Sequence, residues 1–259
     1  MRSGVHPGNR TDMKPRTARN KIIRSIFRFF IKLLPPNTVV CILRGRLRGK
    51  KWMLGAGQHS CWLGYFEKKK QIIFSRIIHK GAVVYDIGAH VGFYTLLASV
   101  LVGPKGRVFA FEPSPRNICY LKNHLRLNGC DNVTLVEAAV AEKEGIASFE
   151  ESDNGYYDHL SIRGNLKVKT VSLDNLVLNG KISPPDFIKI DAEGAELLVL
   201  SGAKNILVNY SPTIFLAIHI FDFPNQCCTF LRSINYDLQS IDENESLNNT
   251  SELLAFKRK

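Results

Sequence analysis

Two acidic residues of the sequence end apolar runs at places where a ligand could bind. Asp86 closes the run VVYD, and Gly88 and Gly92 follow it in IGAHVG, where glycine lets the backbone turn tightly and approach a ligand. Glu112 closes the run VFAFE, and a carboxylate there can accept hydrogen bonds from both hydroxyls of a ribose. A helix-capping turn beside a surface acid is the simpler alternative, but the shared placement at strand ends favours a nucleoside site.

This nucleoside site has to be assigned to a cofactor class. Dinucleotide-binding loops carry G-x-G-x-x-G, whereas this chain has D-I-G-A-H-V-G, with the bulky His90 where a pyrophosphate needs close backbone. The acid before the first glycine also suits a cationic group better than a phosphate. Since S-adenosyl-L-methionine carries an amino group and a sulfonium, the loop favours it over a nicotinamide dinucleotide.

A second set of polar residues follows two later apolar runs. Asp191 ends FIKID, with Glu193 and Glu196 close behind, and His219 lies near the end of FLAIH. Asp191, Glu193 and His219 are candidates for the catalytic base that takes a proton from an acceptor hydroxyl. The alternatives are that Glu196 complements a helix N-terminus and that His219 is a satisfied core residue. The carboxylates could hold Mg²⁺, but no ligand spacing demands it, and no metal site is predicted.

Strand and helix patterns alternate around these residues. AVVYDI, RVFAFE and FIKIDA are typical of buried strands, and VGFYTLLASVLV and PRNICYLKNHLRLNG are typical of helices. Such alternation predicts an α/β fold with a doubly wound, mostly parallel sheet. In such a sheet, ligands bind beyond the carboxyl ends of the strands, where these acids are expected to lie.

Positive charge is concentrated at the start of the chain. Residues 1–51 hold 14 basic residues and one acid, for +13, and residues 52–259 hold 21 basic and 22 acidic residues, for −1. Residues 21–34 have the pattern of an amphipathic cationic helix, too charged to span a membrane. The helix could lie peripherally on an anionic membrane or pack on the domain, and a nucleic-acid partner for this arm is the less favoured alternative.

The six cysteines form no C-x-x-C pair and have no metal-ligand spacing with the histidines. We interpret them as reduced thiols of an intracellular protein. The apolar run near the N-terminus is broken by charge and has no small-residue cleavage site after it, which argues against a secretory signal. A cytoplasmic location is therefore expected, with peripheral contact to the membrane through residues 21–34 as the open alternative.

Five segments in order resemble the FkbM-type methyltransferases, a branch of the class I S-adenosyl-L-methionine-dependent enzymes. They are YDIGAHVGFYT, VFAFEPSP, VEAAVAEKEGIASF, VKTVSLDNL and DFIKIDAEGAELLVLSGA, within roughly residues 62–220. The resemblance implies a Rossmann-like sheet of seven strands, S-adenosyl-L-methionine as donor, and transfer to an oxygen of a sugar, glycan or secondary metabolite. Together with the charge distribution and the strand and helix patterns, it divides the chain into a basic arm at 1–38, a hairpin and helix packed on the core at 39–81, and a methyltransferase domain at 82–259.

The resemblance also implies roles for individual residues. The loop around the methionine moiety would comprise Asp86, Gly88, Ala89, His90 and Gly92. Glu112 would accept the ribose hydroxyls, and Ala138 and Ala139 would flank the adenine. Family members often have Asn at the place of His90, and they often have glutamate at the place of Ala217, so a role that needs the latter carboxylate is not expected here.

Three other functions stay open at this point. An RNA methyltransferase would place the basic arm on nucleic acid, with binding that weakens as salt rises. A nicotinamide-dependent oxidoreductase would bind NADH. A catalytically silent, membrane-associated adaptor would bind liposomes without consuming donor.

Overall fold

The computed structural model describes residues 34–35, 37–152, 158–161, 164–219, 223–242, 247 and 250–257, with the side chains of 223–225 also outside the description. The predicted amphipathic helix, except for its last residue, therefore lies outside the described residues. Within them, no helix is both long enough and apolar enough to cross a membrane.

The described residues form strands and helices in alternation. The strands are β1 Val39–Cys41, β2 Lys51–Met53, β3 Val83–Ile87, β4 Arg107–Phe111, β5 Val133–Val136, β6 Ala139–Val140, β7 Gly145–Glu150, β8 His159–Leu160, β9 Leu166–Val171, β10 Phe187–Ile190, β11 Thr213–Ala217, β12 Asp237–Ser240 and β13 Glu252–Phe256. The helices are α1 His59–Leu63, α2 Lys68–Ile77, α3 Phe93–Val102, α4 Pro115–Asn128, α5 Leu173–Leu178, α6 Glu196–Ser201, α7 Lys204–Asn209 and α8 Phe223–Ser233.

The central sheet has seven strands in the order β12-β13-β11-β10-β3-β4-β5. Strands β11, β10, β3, β4 and β5 pair in parallel, and β13 pairs antiparallel to both β11 and β12. The chain progresses from β3 towards β4 on one side, while β10 joins the other side of β3. This reversal of strand order places a ligand-binding crevice beyond the carboxyl ends of β3 and β10, and it confirms the predicted doubly wound sheet.

Both faces of the sheet are covered, which explains the nearly continuous apolar runs of its inner strands. Neighbouring residues alternate between two core clusters because side chains of a strand point to opposite faces. Tyr85 and Ile87 join one cluster, whereas Val84 and Phe187 join the other. Helix α3, apolar almost all round, packs in the second cluster against the region formed by residues 39–81.

A buried histidine of α4, His124, helps to join residues 39–81 to the rest of the domain. Trp52 stacks on His124, with ring centroids 4.0 Å apart, and the Met53 amide donates to His124 Nε2 at 3.0 Å. Nδ1 of His124 then donates to the Val91 carbonyl at 2.7 Å. Burial lowers the pKa of His124 to about 4, so the ring is neutral at pH 7 and joins the N-terminal region to α4 and the loop before α3.

Two elements differ from the sequence patterns. The stretch CWLGYFEKKKQIIFSRIIHKG reads as one helix but forms α1 and α2, because Gly64 ends α1 with φ +82° and a Cβ there would lie 2.2 Å from the Arg44 carbonyl oxygen. The stretch VTLVEAAV reads as one strand but divides after Val136. Its second part, β6, joins a separate sheet in the order β6-β9-β7-β8.

Candidate active site

A single cavity lies beyond the carboxyl ends of β3, β4 and β10, at the predicted edge of the sheet. It is closed on one side by the segment before α2 and on the other by β6, β7 and β8. The sequence-predicted residues that line it are Gly88, Ala89, His90, Glu112, Ala138, Ala139, Asp191, Glu193 and His219. Predicted residues from five separate stretches of sequence are thus brought to one site.

The loop after β3 depends on the glycine at position 88. Gly88 has φ +71°, and a Cβ built on it would lie 1.8 Å from the Asp191 carbonyl oxygen. A side chain therefore has no room there, since the loop packs directly on the backbone that follows β10. Gly92 has φ +93° and precedes α3, but it packs against Leu121 rather than lining the cavity.

Asp86 lies beneath this loop, and it is absent from the residues that line the cavity. Its side chain is fully buried, accepts a 2.6 Å hydrogen bond from Thr95 Oγ1, and lies 3.2 Å from Lys189 Nζ. The structure thus places Asp86 as an ion-paired support of the loop. A direct contact of Asp86 with a cofactor stays a prediction.

Glu112 is oriented by three donors at the end of β4. Its Oε2 accepts from the His90 amide at 2.7 Å, and its Oε1 accepts from the Ser114 amide at 3.0 Å and Asn117 Nδ2 at 3.3 Å. Burial raises the pKa of Glu112 to about 7, although these hydrogen bonds oppose the shift. The carboxylate lines the cavity in a fixed orientation, and these three bonds occupy three of its roughly four lone-pair sites, which leaves one on Oε2 for a ligand.

The far wall of the cavity is built by the second sheet. Ala138 and Ala139 lie where the chain turns from β5 to β6, with the Ala138 amide bonded to the Val136 carbonyl at 2.9 Å. Phe149 and Leu160 add an apolar surface, so this wall suits a flat ring. Asp158, which accepts from Asn117 Nδ2 at 3.3 Å, also lines the cavity. Sequence reasoning missed Asp158 because it stands in a polar stretch without periodicity.

At the opposite end, charged side chains surround His219. Nε2 of His219 lies 3.4 Å from Asp191 Oδ1 and 3.6 Å from Glu193 Oε1, and Nδ1 lies 3.0 Å from Glu196 Oε1. Glu196 is fully buried, and Glu193 has φ +46°, a strained conformation for a residue with a side chain. Asp191, Glu193 and His219, the three predicted catalytic residues, therefore form one cluster. Glu196 begins α6, at the helix terminus that the sequence offers as one explanation for it, and it also contacts this cluster through His219.

The charged groups of this cluster shift one another's pKa values. Burial alone would lower the pKa of His219, but the hydrogen bond to Glu196 and the charges of Asp191 and Glu193 raise it to about 9. Burial raises the pKa of Glu193 to about 7. Burial would likewise raise the pKa of Asp191, yet Lys189 and His219 together hold it below its usual value. At neutral pH the cluster therefore contains an ionised Asp191 beside a protonated imidazole.

Lys189 is a residue of this site that sequence reasoning missed. It is 3% exposed, and its Nζ lies 3.2 Å from Asp86 Oδ1, 3.4 Å from Asp191 Oδ2 and 3.3 Å from the Gly88 carbonyl oxygen. It also lies 5.3 Å from the centre of the Tyr94 ring. The sequence does contain an indication of its role, namely a lysine inside the otherwise apolar strand FIKI, where an unpaired charge would be costly.

The residues present fit S-adenosyl-L-methionine. The backbone after β3 can be approached closely because Gly88 has no side chain, and Glu112 is held in an orientation that suits a ribose. The carboxylates lining the cavity outnumber the basic groups and would favour a cation. They are Glu67, Glu112, Asp158, Asp191 and Glu193, against Lys70, Lys189 and the imidazoles His90 and His219.

Comparisons with known proteins point to one family. The model of the methyltransferase FkbM domain matches residues 86–244. The hexuronic acid methyltransferase AglP of Haloferax volcanii is 36% identical over 129 residues, which cover 48% of this chain and 51% of that protein. The 2-O-methyltransferase NoeI of Sinorhizobium fredii is 28% identical over 146 residues, which cover 48% of this chain and 58% of that protein. The chain thus spans about half the length of the curated relatives it matches.

Two crystal structures share the fold. Methyltransferase FkbM from Methylobacillus flagellatus has a TM-score of 0.50 at 17% identity, over 78% of this chain and 56% of that one. An S-adenosyl-L-methionine-dependent O-methyltransferase from Thermotoga maritima has a TM-score of 0.50 at 12% identity, over 91% of this chain and 81% of that one. At these identities the likeness concerns the fold alone, and it confirms the predicted class I architecture.

Proposed function

Because the chain belongs to the FkbM methyltransferase family, we propose that it transfers a methyl group from S-adenosyl-L-methionine to an oxygen of a sugar or glycan. One observation carries the proposal: a single cavity has the Glu112 carboxylate at one end and the cluster of Asp191, Glu193 and His219 at the other. The named activities of the two relatives, on a hexuronic acid and at a 2-O position, support a carbohydrate acceptor.

The first task of the chain is to hold the donor. Glu112 accepts the ribose hydroxyls, the wall of Ala138 and Ala139 takes the adenine, and the loop from Gly88 to His90 covers the methionine moiety. The bound donor supplies a methyl carbon that its sulfonium activates. The surrounding carboxylates stabilise that positive charge, and the second sheet shields the cavity from water.

The second task is to position the acceptor hydroxyl and take its proton. Asp191 adjoins the donor loop, because its own carbonyl oxygen packs against Gly88. Its Oδ2 is held by Lys189 and its Oδ1 faces His219, so the carboxylate has a defined orientation. We assign to Asp191 the hydrogen bond from the acceptor hydroxyl. Asp191 takes the proton as the oxygen bonds to the methyl carbon and the carbon–sulfur bond of the donor breaks, with Glu193 and the protonated His219 beside it.

Isotope-labelled donor tests this function. The full chain is incubated with labelled S-adenosyl-L-methionine and separate pools of sugars, glycans and RNA, and the products are analysed by mass spectrometry. We expect a labelled methyl ether or ester on a carbohydrate and no label on RNA. Label on RNA, or donor binding without transfer to any pool, would refute the carbohydrate proposal. A parallel NADH titration by fluorescence addresses the oxidoreductase alternative, which predicts binding.

The basic arm supports a proposal about location. Residues 1–51 carry +13 and residues 52–259 carry −1, so attraction to an anionic surface would come from the arm. We propose that residues 21–34 associate peripherally with an anionic membrane on its cytoplasmic side. Deleting residues 1–34 should abolish binding to anionic liposomes while donor affinity stays the same. If the shortened protein no longer binds donor, the segment belongs to the fold and the membrane proposal fails.

A further inference from the structure

Negative charge exceeds positive charge around the acceptor end of the cavity. Asp86, Asp191, Glu193 and Glu196 lie close together, and Lys189 is the lysine that the structure places among them. Asp86 and Asp191 both contact this one lysine, at 3.2 and 3.4 Å. Two further carboxylates, Glu193 and Glu196, therefore depend on His219 or on a bound cation for compensation.

The orientation of His219 leaves one ring nitrogen available. Glu196 Oε1 lies 3.0 Å from Nδ1 and favours the tautomer in which Nδ1 carries the proton. In the ring without its second proton, which is the form that ligates a metal, Nε2 directs its lone pair towards Asp191 and Glu193, at 3.4 and 3.6 Å. Both separations exceed the range of about 2.7–3.2 Å usual for an N–H···O hydrogen bond.

These separations match those between ligands of one ion. For bonds of about 2.1–2.2 Å and angles from right-angled to tetrahedral, neighbouring ligand atoms lie roughly 3.0–3.6 Å apart. One ligand atom from each of Asp191, Glu193 and His219 lies within 4.8 Å of the other two. A histidine that donates its other nitrogen to a carboxylate, as His219 does to Glu196, is the usual outer arrangement of a metal-bound imidazole.

A second observation comes from Glu196 itself. The residue is fully buried, and its Oε2 has no hydrogen-bond partner among the described residues. A buried carboxylate with one free oxygen is costly unless positive charge lies near it. An ion on Nε2 of His219 would place that charge on the imidazole to which Glu196 is bonded.

We propose that Asp191, Glu193 and His219 bind a divalent transition-metal cation, with Glu196 holding His219 in the ligating tautomer. One imidazole and two carboxylates suit Mn²⁺, Fe²⁺ or Zn²⁺, whereas a site with oxygen ligands alone would suit Mg²⁺ or Ca²⁺. The positions left open face the cavity and would take two neighbouring oxygens of the acceptor. The inference rests on the proposed function for the identity of those oxygens, but the ion site itself does not. It replaces the expectation of no metal drawn from sequence spacing.

Protonation of His219 and the positive charge of the donor offer a different compensation for the same carboxylates. If they suffice, the cluster is a purely protic site and has no affinity for a metal. If the ion is the partner, binding occurs without donor and depends on Nε2. Metal titration of the donor-free protein therefore separates the two arrangements.

Mn²⁺ is a suitable probe because its binding is measured by calorimetry and by loss of the free-ion paramagnetic resonance signal. The full chain without an affinity tag is treated with EDTA, desalted and titrated with MnCl₂. We expect one Mn²⁺ per chain and at least a tenfold loss of affinity in His219→Ala and Glu193→Gln. His159→Ala is the matched control, because His159 is not among the residues that line the cavity and lies 4.0 Å from a carboxylate of Glu150, so the Mn²⁺ affinity of this variant should stay unchanged. Absence of Mn²⁺ binding, or equal binding in His219→Ala and wild type, overturns the proposal.

Glu196→Gln provides a second variant that keeps the size of the side chain. Loss of such an outer partner typically weakens metal binding about 10- to 100-fold, and we expect that range here. Donor affinity, measured in parallel, shows whether each variant is folded. Methyl transfer that proceeds fully in EDTA refutes the metal site and leaves the proposed function standing. Stoichiometric Mn²⁺ binding without methyl transfer to any carbohydrate does the reverse.

Discussion

The donor end and the acceptor end of the cavity differ in how their polar groups are satisfied. At the donor end, both oxygens of Glu112 accept hydrogen bonds from the protein. Two of these hydrogen bonds come from backbone amides. At the acceptor end, Nε2 of His219 faces two carboxylates beyond hydrogen-bond range, and Glu196 Oε2 lacks a partner among the described residues. Neutral hydrogen-bond donors hold Glu112 in place at the donor end. The acceptor end instead carries a net negative charge that a bound ligand has to compensate.

This difference predicts that the largest effect on catalysis arises at the acceptor end. Asp191→Asn keeps the shape of the side chain but removes its charge, so turnover should fall about 10²- to 10⁴-fold while donor affinity changes only a few fold. Single-turnover kinetics with labelled donor and calorimetry of donor binding measure the two quantities.

Asp186→Asn is the matched control for that variant. Asp186 immediately precedes β10, whereas Asp191 follows it, and Asp186 accepts a 2.8 Å hydrogen bond from the Val83 amide. Its substitution should leave turnover within a few fold of wild type. Undiminished turnover in Asp191→Asn would mean that Asp191 is structural, and the proton-accepting role would pass to Glu193 or His219.

The second prediction concerns the lysine that supports both carboxylates. Lys189→Met removes the cation from two acids, of which Asp86 is fully buried, and breaking such a buried pair typically costs about 3–5 kcal/mol. We expect a decrease of that size in the free energy of unfolding by urea. Lys122→Met, which removes an exposed pair with Glu137 at 2.6 Å, should cost at most about 1 kcal/mol. Equal losses in the two variants would show that Lys189 does not compensate the buried charge.

The third prediction addresses the donor end. Glu112→Ala removes the acceptor that we propose for the ribose, and each such charge-assisted hydrogen bond is worth about 1.5–3 kcal/mol. Donor affinity measured by calorimetry should therefore weaken at least tenfold. Glu150→Ala, at an exposed acid of β7, should bind the donor like the wild type. Unchanged affinity in Glu112→Ala would contradict the assignment of the ribose to Glu112.

The two ends also differ in how far the sequence predicted them. The family, the seven-stranded sheet and S-adenosyl-L-methionine as its cofactor are confirmed. The acids at the strand ends and the glycine turn can be predicted from the sequence, because they depend on local conformation and on the edge that parallel strands share. The individual roles assigned to the cavity residues stay predictions.

The ion pairs beneath the acceptor end could not be predicted from the sequence, since they depend on pairing between strands that are distant in the chain. Lys189 lies opposite Asp86 because β10 and β3 pair in that register, which the sequence pattern does not specify. The register also brings the backbone after β10 against Gly88. Similarly, Ala138 and Ala139 reach the cavity because the chain leaves one sheet for another after Val136, where the sequence continues as an unbroken apolar run.

The smallest predicted effect is a dependence of donor affinity on pH. In the proposed site, Glu112 acts as acceptor for the ribose when it is ionised, and burial raises its pKa to about 7 in the free protein. The ionised fraction is therefore high at pH 8 and low at pH 6. Donor affinity should fall roughly tenfold from pH 8 to pH 6, because about one pKa unit separates each pH from the midpoint.

Glu112→Gln isolates this effect from the titration of the donor and of other groups in the cavity. The variant keeps the size of the side chain but cannot ionise, so its weaker donor affinity should be nearly the same at pH 6 and pH 8. A tenfold fall that persists in Glu112→Gln would assign the titration to another group, such as Glu193, whose pKa burial also raises to about 7. In that case the acceptor end would also govern donor binding, and the two ends of the cavity would be coupled through charge.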